Sequence, residues 1–83
     1  MQTISINLPE TAFAALRKAP DDFVREMRIA AAVKWYELGE LSQGKAAEIA
    51  GLSRVEFIHA LARFKVSPLQ YSREELAEEL GED

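Results

Sequence analysis

The chain has 83 residues and a formal net charge of -4, and 48% of its residues are hydrophobic. This length limits it to one globular domain and favours oligomerisation, because a short chain buries only a modest part of its surface. It contains no cysteine, no signal-peptide pattern and no apolar run of membrane-spanning length, so we expect a cytoplasmic protein without disulfides, thiolate metal sites or a membrane segment.

The negative charge is concentrated at the C-terminal end of the sequence. Residues 71–83 contain six acidic side chains and one base, Arg73, whereas residues 1–70 contain nine bases and eight acids. The stretch 42–65 is mildly basic. We therefore divide the chain into a folded domain of residues 1–70 and an acidic C-terminal segment of residues 71–83.

The first predicted element is a β-strand from Thr3 to Leu8. Polar and apolar residues alternate strictly there, which places Ile4, Ile6 and Leu8 on one face. Because a lone strand leaves its backbone groups unpaired, we expect it to pair with the same strand of a second copy, with these three residues at the dimer interface. A hairpin with residues 66–69, or a frayed terminus, is the alternative.

Two helices are predicted next. Pro9 ends the strand, and residues 10–18 form a short helix with Phe13 and Leu16 directed inward. A longer helix, capped by Asp21 or Asp22, runs to about Leu38. Its expected inward residues, including the aromatic anchors, are Phe23, Val24, Met27, Ala30, Ala31, Val33, Trp35 and Tyr36.

The most informative stretch, residues 42–64, predicts two short helices joined by a tight turn. Gly51 suits the left-handed conformation that ends a helix and turns the chain. Ser53 and Glu56 have the spacing of a capping box, with Leu52 and Phe57 as its hydrophobic staple. Two helices joined by so short a turn must cross steeply, as in a helix-turn-helix that offers its second helix to the DNA major groove.

The side chains of this predicted pair separate into an inner and an outer set. The small Ala46 and Ala47 allow close approach of the helices, and the expected inner residues are Ala50, Leu52, Phe57, Ala60 and Leu61. An arginine binds guanine through two hydrogen bonds, whereas lysine suits phosphates. Ile58 is an unusual residue for a base-contacting position. The candidate DNA-binding residues are Lys45, Ser53, Arg54, Val55, His59 and Arg63.

The acidic C-terminal segment predicts an amphipathic helix that binds a partner. Ser72 and Glu75 repeat the capping-box spacing, and only a few apolar side chains follow. So few apolar contacts favour a segment that orders on binding. The candidate partner-binding residues are Tyr71, Arg73, Leu76 and Leu80.

An enzymatic function has little support in the sequence. There is one histidine, His59, and no glycine-rich phosphate loop. The glutamates of residues 71–83 lack the glycine turn and ligand spacing of a calcium loop. We therefore expect neither catalysis nor a bound metal or cofactor.

The order of elements and the run from Gly44 to Ser53, followed by Glu56 and Phe57, resemble a family of small uncharacterised prokaryotic proteins regarded as antitoxin-like. Its members resemble antitoxins found beside PIN-domain ribonuclease toxins. The resemblance extends from Thr3 to about Leu80, and Ala47, Gly51 and residues 53–57 match its motif. It implies a DNA-binding antitoxin that represses its own operon and neutralises a PIN-domain toxin through its C-terminal segment.

The expected fold is therefore mainly α, with an N-terminal β-strand, a small helical domain containing a helix-turn-helix, and a C-terminal amphipathic helix or tail. Two alternatives to the antitoxin-like repressor remain open. One is a protein-interaction adaptor that binds no DNA. The other is a ribbon-helix-helix regulator that reads double-stranded DNA with the strand 3–8, through Thr3, Ser5 and Asn7.

Overall fold

The structure, a computed structural model, describes residues 2–69. Within this range the chain forms four helices: α1 (Glu10–Leu16), α2 (Pro20–Glu37), α3 (Gln43–Ala50) and α4 (Arg54–Arg63). The long helix α2 packs against both short helices that follow it. The core lies between these three helices and is completed by Val66, which follows α4.

The predicted N-terminal β-strand is wrong, and over residues 2–69 the fold is all-α. The side chains of Ile4 and Ile6 are 78% and 60% exposed, and residues 2–9 form no helix or strand. Alternation only determines which side chains share a face, whereas a strand also requires a neighbour for its backbone groups. Residues 66–69 do not provide that neighbour, so the ribbon-helix-helix alternative loses the strand on which it depends.

Helix α1 is attached to α2 through one aromatic contact. The rings of Phe13 and Phe23 meet edge to face, with their centroids 5.1 Å apart. The helix ends where Arg17 adopts a left-handed conformation with φ of 54°. No residue of α1 is fully buried, and Leu16, predicted to point inward, is exposed.

Helix α2 begins earlier than predicted. Pro20 occupies its first turn, where a missing N–H costs nothing, and the preceding Ala19 is extended and provides no side-chain cap. Asp21 and Asp22 are therefore first-turn residues, where their negative charge interacts favourably with the helix dipole. The prediction that one of them caps the helix is wrong.

The buried face of α2 also differs from the predicted stripe. The residues that it buries are Ile29, Ala32, Val33 and Tyr36. Val24 is exposed, and Trp35, predicted to be a core anchor, is 43% exposed. Three consecutive alanines at 30–32 satisfy a helical period in more than one register, so the sequence pattern did not determine which of them faces the core.

The predicted amphipathic helix of residues 71–83 lies outside the described residues. So do the partner-binding candidates Tyr71, Arg73, Leu76 and Leu80. The described chain leaves the domain through Ser67, Pro68 and Leu69, close to the C-terminal end of α2.

Candidate nucleic-acid interface

The turn between α3 and α4 has the predicted glycine geometry. Gly51 ends α3 with φ of 73° and ψ of 30°, in the left-handed region. Arg28 of α2 lies directly against this turn, since its Nε donates to the carbonyl oxygen of Ile49 over 2.9 Å. The contact fixes the turn to the long helix, and the sequence pattern gave no indication of this role for Arg28.

Both helices of the pair begin with a capping serine. Ser42 accepts a hydrogen bond from the backbone N–H of Lys45 over 3.1 Å. At α4 the capping box is complete: the N–H of Glu56 donates to Ser53 Oγ over 3.1 Å, and the N–H of Ser53 donates to Glu56 Oε1 over 2.9 Å. The backbone N–H of Ser53, aided by its side chain, lowers the pKa of Glu56.

The inner face of α4 is as predicted. Phe57, Ala60 and Leu61 are buried, and the Phe57 ring meets the Tyr36 ring edge to face at a centroid distance of 5.9 Å. On α3 the buried residues are all small: Ala46, Ala47 and Ala50. Small side chains permit the close approach that holds α3 and α4 against α2.

The outer face of α4 is formed by Arg54, Val55, Ile58 and His59, all of which are exposed. Their spacing places them on adjacent positions of the first two turns of one helix face. This face combines the permanent positive charge of Arg54 and the imidazole of His59 with two apolar side chains. Val55 is 64% exposed and Ile58 is 37% exposed. We call these four residues the outer face of α4.

The three predicted basic contacts differ in their surroundings. Lys45 makes an exposed ion pair with Glu48 one turn along α3, at 3.2 Å. Such a pair is weak and leaves the ammonium available for a phosphate. Arg54 donates from Nη2 to Oε1 of Gln43 over 2.7 Å, a contact that no sequence spacing rule had indicated.

Arg63 is directed to α2 rather than to open solvent. Its Nη1 and Nη2 donate to Oε1 and Oε2 of Glu26 over 2.7 and 3.3 Å. This bidentate contact is the main reason that the pKa of Glu26 is lowered, whereas burial of the carboxylate opposes the shift. A DNA phosphate would therefore have to compete with Glu26 for the Arg63 guanidinium. In the structure, this contact fixes the C-terminal end of α4 to α2.

No group of three or more histidine, aspartate or glutamate side chains within residues 2–69 is arranged to hold a metal ion. In the same part of the chain, none of the helices combines the length and the apolar character needed to cross a membrane.

Over residues 2–69, the fold and this site define a small all-α protein in which α3 and α4, joined by a tight turn, pack against α2. The chain belongs to the uncharacterised protein family UPF0175, whose family model matches residues 1–82. No solved structure is similar enough to this chain to match it.

Relatives that are similar to this chain carry the same family name. A UPF0175 protein of Aeropyrum pernix is 44% identical over 77 residues, which cover 93% of this chain and 81% of the relative. A second from the same organism is 43% identical and covers 72% and 76% of the two chains. A UPF0175 protein of Archaeoglobus fulgidus is 46% identical over 66% of this chain and 62% of its own length. These names give family membership and no activity.

Proposed function

We propose that this protein is a DNA-binding regulator that inserts the outer face of α4 into the major groove of double-stranded DNA. The observation that supports this function is the division of α4 into two faces. The inner face of α4 is buried in the core. The first helical turn of α4 exposes Arg54 to solvent, directly after the Ser53 cap. The N-terminal residues of a recognition helix are the ones that reach base edges.

We further propose that the protein acts as an antitoxin in the cytoplasm. The resemblance to antitoxin-like proteins supports a role in which it represses its own operon and neutralises a PIN-domain ribonuclease. Residues 71–83 would bind the toxin, because their sequence combines Tyr71, Leu76 and Leu80 with six acidic residues. An apolar pair four residues apart suits a groove, and the acidic residues suit its basic rim.

A homodimer is part of this proposal. Ile4 and Ile6 are largely exposed in the single chain, and contact with a second copy would remove them from water. Helix-turn-helix proteins commonly bind as dimers to two half-sites one helical turn apart. Light scattering should show a dimer of the wild-type protein at tens of micromolar. The double substitution Ile4→Ser with Ile6→Ser should shift the equilibrium towards monomer. A wild-type protein that is monomeric at this concentration would contradict the proposed dimer.

The function is tested by titrating the full-length protein onto a duplex from upstream of its own gene and onto an unrelated duplex. We expect the first duplex to bind about a thousandfold more tightly, which is the low end of specific recognition. Equal affinity for both duplexes, or no binding to either, would refute a sequence-specific regulator.

Two substitutions then test the residues. Arg54→Ala should weaken the specific complex by about 1–3 kcal/mol and relax the preference at one base position. Lys45→Ala is the matched control on α3, because it removes a phosphate contact and should weaken both duplexes alike. If Arg54→Ala leaves the preference intact, α4 does not read bases through Arg54.

The exposed Val55 and Ile58 support a second candidate function, a protein-interaction adaptor in which the outer face of α4 binds an apolar surface of another protein. The two candidate functions predict different effects of one substitution. Val55→Ser should abolish partner binding in the adaptor, whereas a DNA-binding face should lose only the fraction contributed by contact with a thymine methyl group.

A further inference from the structure

One side-chain amide connects three parts of the domain. Gln43, the first residue of α3, accepts from Arg54 Nη2 over 2.7 Å through its Oε1. Its Nε2 donates to the carbonyl oxygen of Pro68 over 3.1 Å and to the hydroxyl oxygen of Tyr36 over 3.3 Å. The amide therefore joins the first turn of α4 to the C-terminal half of α2 and to the segment that follows α4.

The orientation of this amide is imposed from the core. Tyr36 is 1% exposed, and its hydroxyl donates to the Pro68 carbonyl oxygen over 2.9 Å. Because that hydrogen is directed at Pro68, the Tyr36 oxygen presents a lone pair to Gln43. The Gln43 NH₂ therefore faces two acceptors, and its oxygen is turned towards the donor on Arg54. The reverse orientation would place oxygen against both acceptors.

We infer that Gln43 is a positioning residue for Arg54, one that holds the guanidinium in a single geometry before DNA binds. A solvent-exposed arginine side chain has many rotamers, and restricting it to one of them when DNA binds costs conformational entropy. A guanidinium that is already oriented discriminates more sharply between bases, because a misplaced base edge cannot be met by a different rotamer. The inference rests on the proposed function of Arg54 as a base contact, and Gln43 need not touch DNA itself.

The test replaces Gln43 with methionine, which has a similar volume and chain length but no comparable hydrogen-bonding groups. In Gln43→Met, the ratio of the affinities for the specific and the unrelated duplex should fall about tenfold, within the discrimination that one arginine contact provides. Affinity for the unrelated duplex should stay within about twofold, since phosphate contacts supply it.

Lys45→Met is the matched control on the same helix. It should lower both affinities together and leave their ratio unchanged. Gln43 would be a merely structural residue if Gln43→Met lowered the thermal midpoint and both affinities without changing the ratio, and that result would overturn the inference.

A second measurement needs no DNA, so it separates this inference from the proposed function. The steady-state ¹H–¹⁵N NOE of the Arg54 Nε–Hε group reports how firmly the side chain is held. In the wild type it should exceed the NOE of Arg25, an exposed arginine whose ion-pair contact within residues 2–69 is with Asp22 at 3.5 Å. In Gln43→Met it should fall to the Arg25 value. An Arg54 NOE that is equal in the two proteins would overturn the inference even if DNA binding were established.

Discussion

At the scale of single residues, the glycines at the start and at the end of α3 have opposite requirements. Gly51 has a left-handed backbone, and a Cβ atom there would lie 3.3 Å from the Arg28 guanidinium nitrogens. Gly44, inside α3, has no atom within 4 Å of its Cβ position. The first glycine is needed by the turn, whereas the second only adds conformational freedom to the unfolded chain.

Gly51→Ala should therefore lower the free energy of unfolding by about 1–2 kcal/mol, the cost of a left-handed conformation for a residue with a Cβ. Gly44→Ala is the matched control and should raise it by about 0.5–1 kcal/mol, because alanine favours the helix. Urea denaturation of the three proteins measures both changes. A Gly51→Ala protein as stable as Gly44→Ala would show that the turn does not need its left-handed residue.

The Glu26–Arg63 contact predicts a specific pH dependence. Arg63 lowers the folded-state pKa of Glu26 below the ordinary value of 4.5. The contribution of this ion pair to the free energy of unfolding is therefore fully present above pH 4.5. It is lost as the pH falls through the lower pKa that Glu26 has in the folded state. Because both side chains are partly exposed, the pair should contribute about 1 kcal/mol or less at pH 7.

Glu26→Gln should accordingly be less stable than the wild type at pH 7 but nearly equal to it near pH 3, as measured by urea denaturation at each pH. Arg63→Met removes the other partner and should show the same convergence at low pH. A difference from the wild type that stays constant between pH 7 and pH 3 would show that the contact does not stabilise the ionised carboxylate.

At the scale of elements, the sequence predicted the α3–α4 pair well because its determinants are local. Gly51, Ser53 and Glu56 act on backbone groups within three residues of themselves, so their spacing alone specifies the turn and the cap. The strand failed for the opposite reason. Its alternating pattern is local, but its stability depends on a neighbouring strand that residues 2–69 do not supply.

The candidate site was predictable in part. The outer position of Arg54 and Val55 followed from the helical period, once the start of α4 was fixed by its cap. The partners of the basic side chains were not predictable, because Gln43 and Glu26 lie 11 and 37 residues from the arginines that they bind. Contacts at such separations depend on how α2 packs against the pair, and no local pattern contains that information.

The capping box at α4 should be a measurable unit of stability. Ser53→Ala removes the acceptor for the Glu56 N–H and should cost about 1 kcal/mol of the free energy of unfolding. Ser5→Ala, in the exposed segment before α1, is the control and should change it by less than about 0.5 kcal/mol. Guanidinium titrations followed by circular dichroism compare the two, and equal stabilities would mean that the Ser53 cap is dispensable.

At the scale of the whole molecule, the proposed DNA contacts and the proposed toxin contacts are assigned to different parts of the chain. Every buried side chain of residues 2–69 lies in the stretch from Ile29 to Val66. Arg54 is bound by Gln43, which in turn donates to the Pro68 carbonyl oxygen. Folding and the proposed DNA contacts should therefore be separable from residues 71–83. The proposed toxin contacts, by contrast, are assigned wholly to that segment.

Deletion of residues 71–83 should consequently leave DNA binding intact and abolish neutralisation of the cognate PIN-domain toxin, measured as recovery of its ribonuclease activity. In the full-length chain, Leu76→Ser with Leu80→Ser should have the same effect, since it removes the apolar anchors but keeps every charge. A truncated protein that still neutralises the toxin would remove the segment from the mechanism. One that also loses DNA binding would show that residues 71–83 belong to the folded core, because the charge they remove is acidic and its loss should, if anything, favour binding to phosphates.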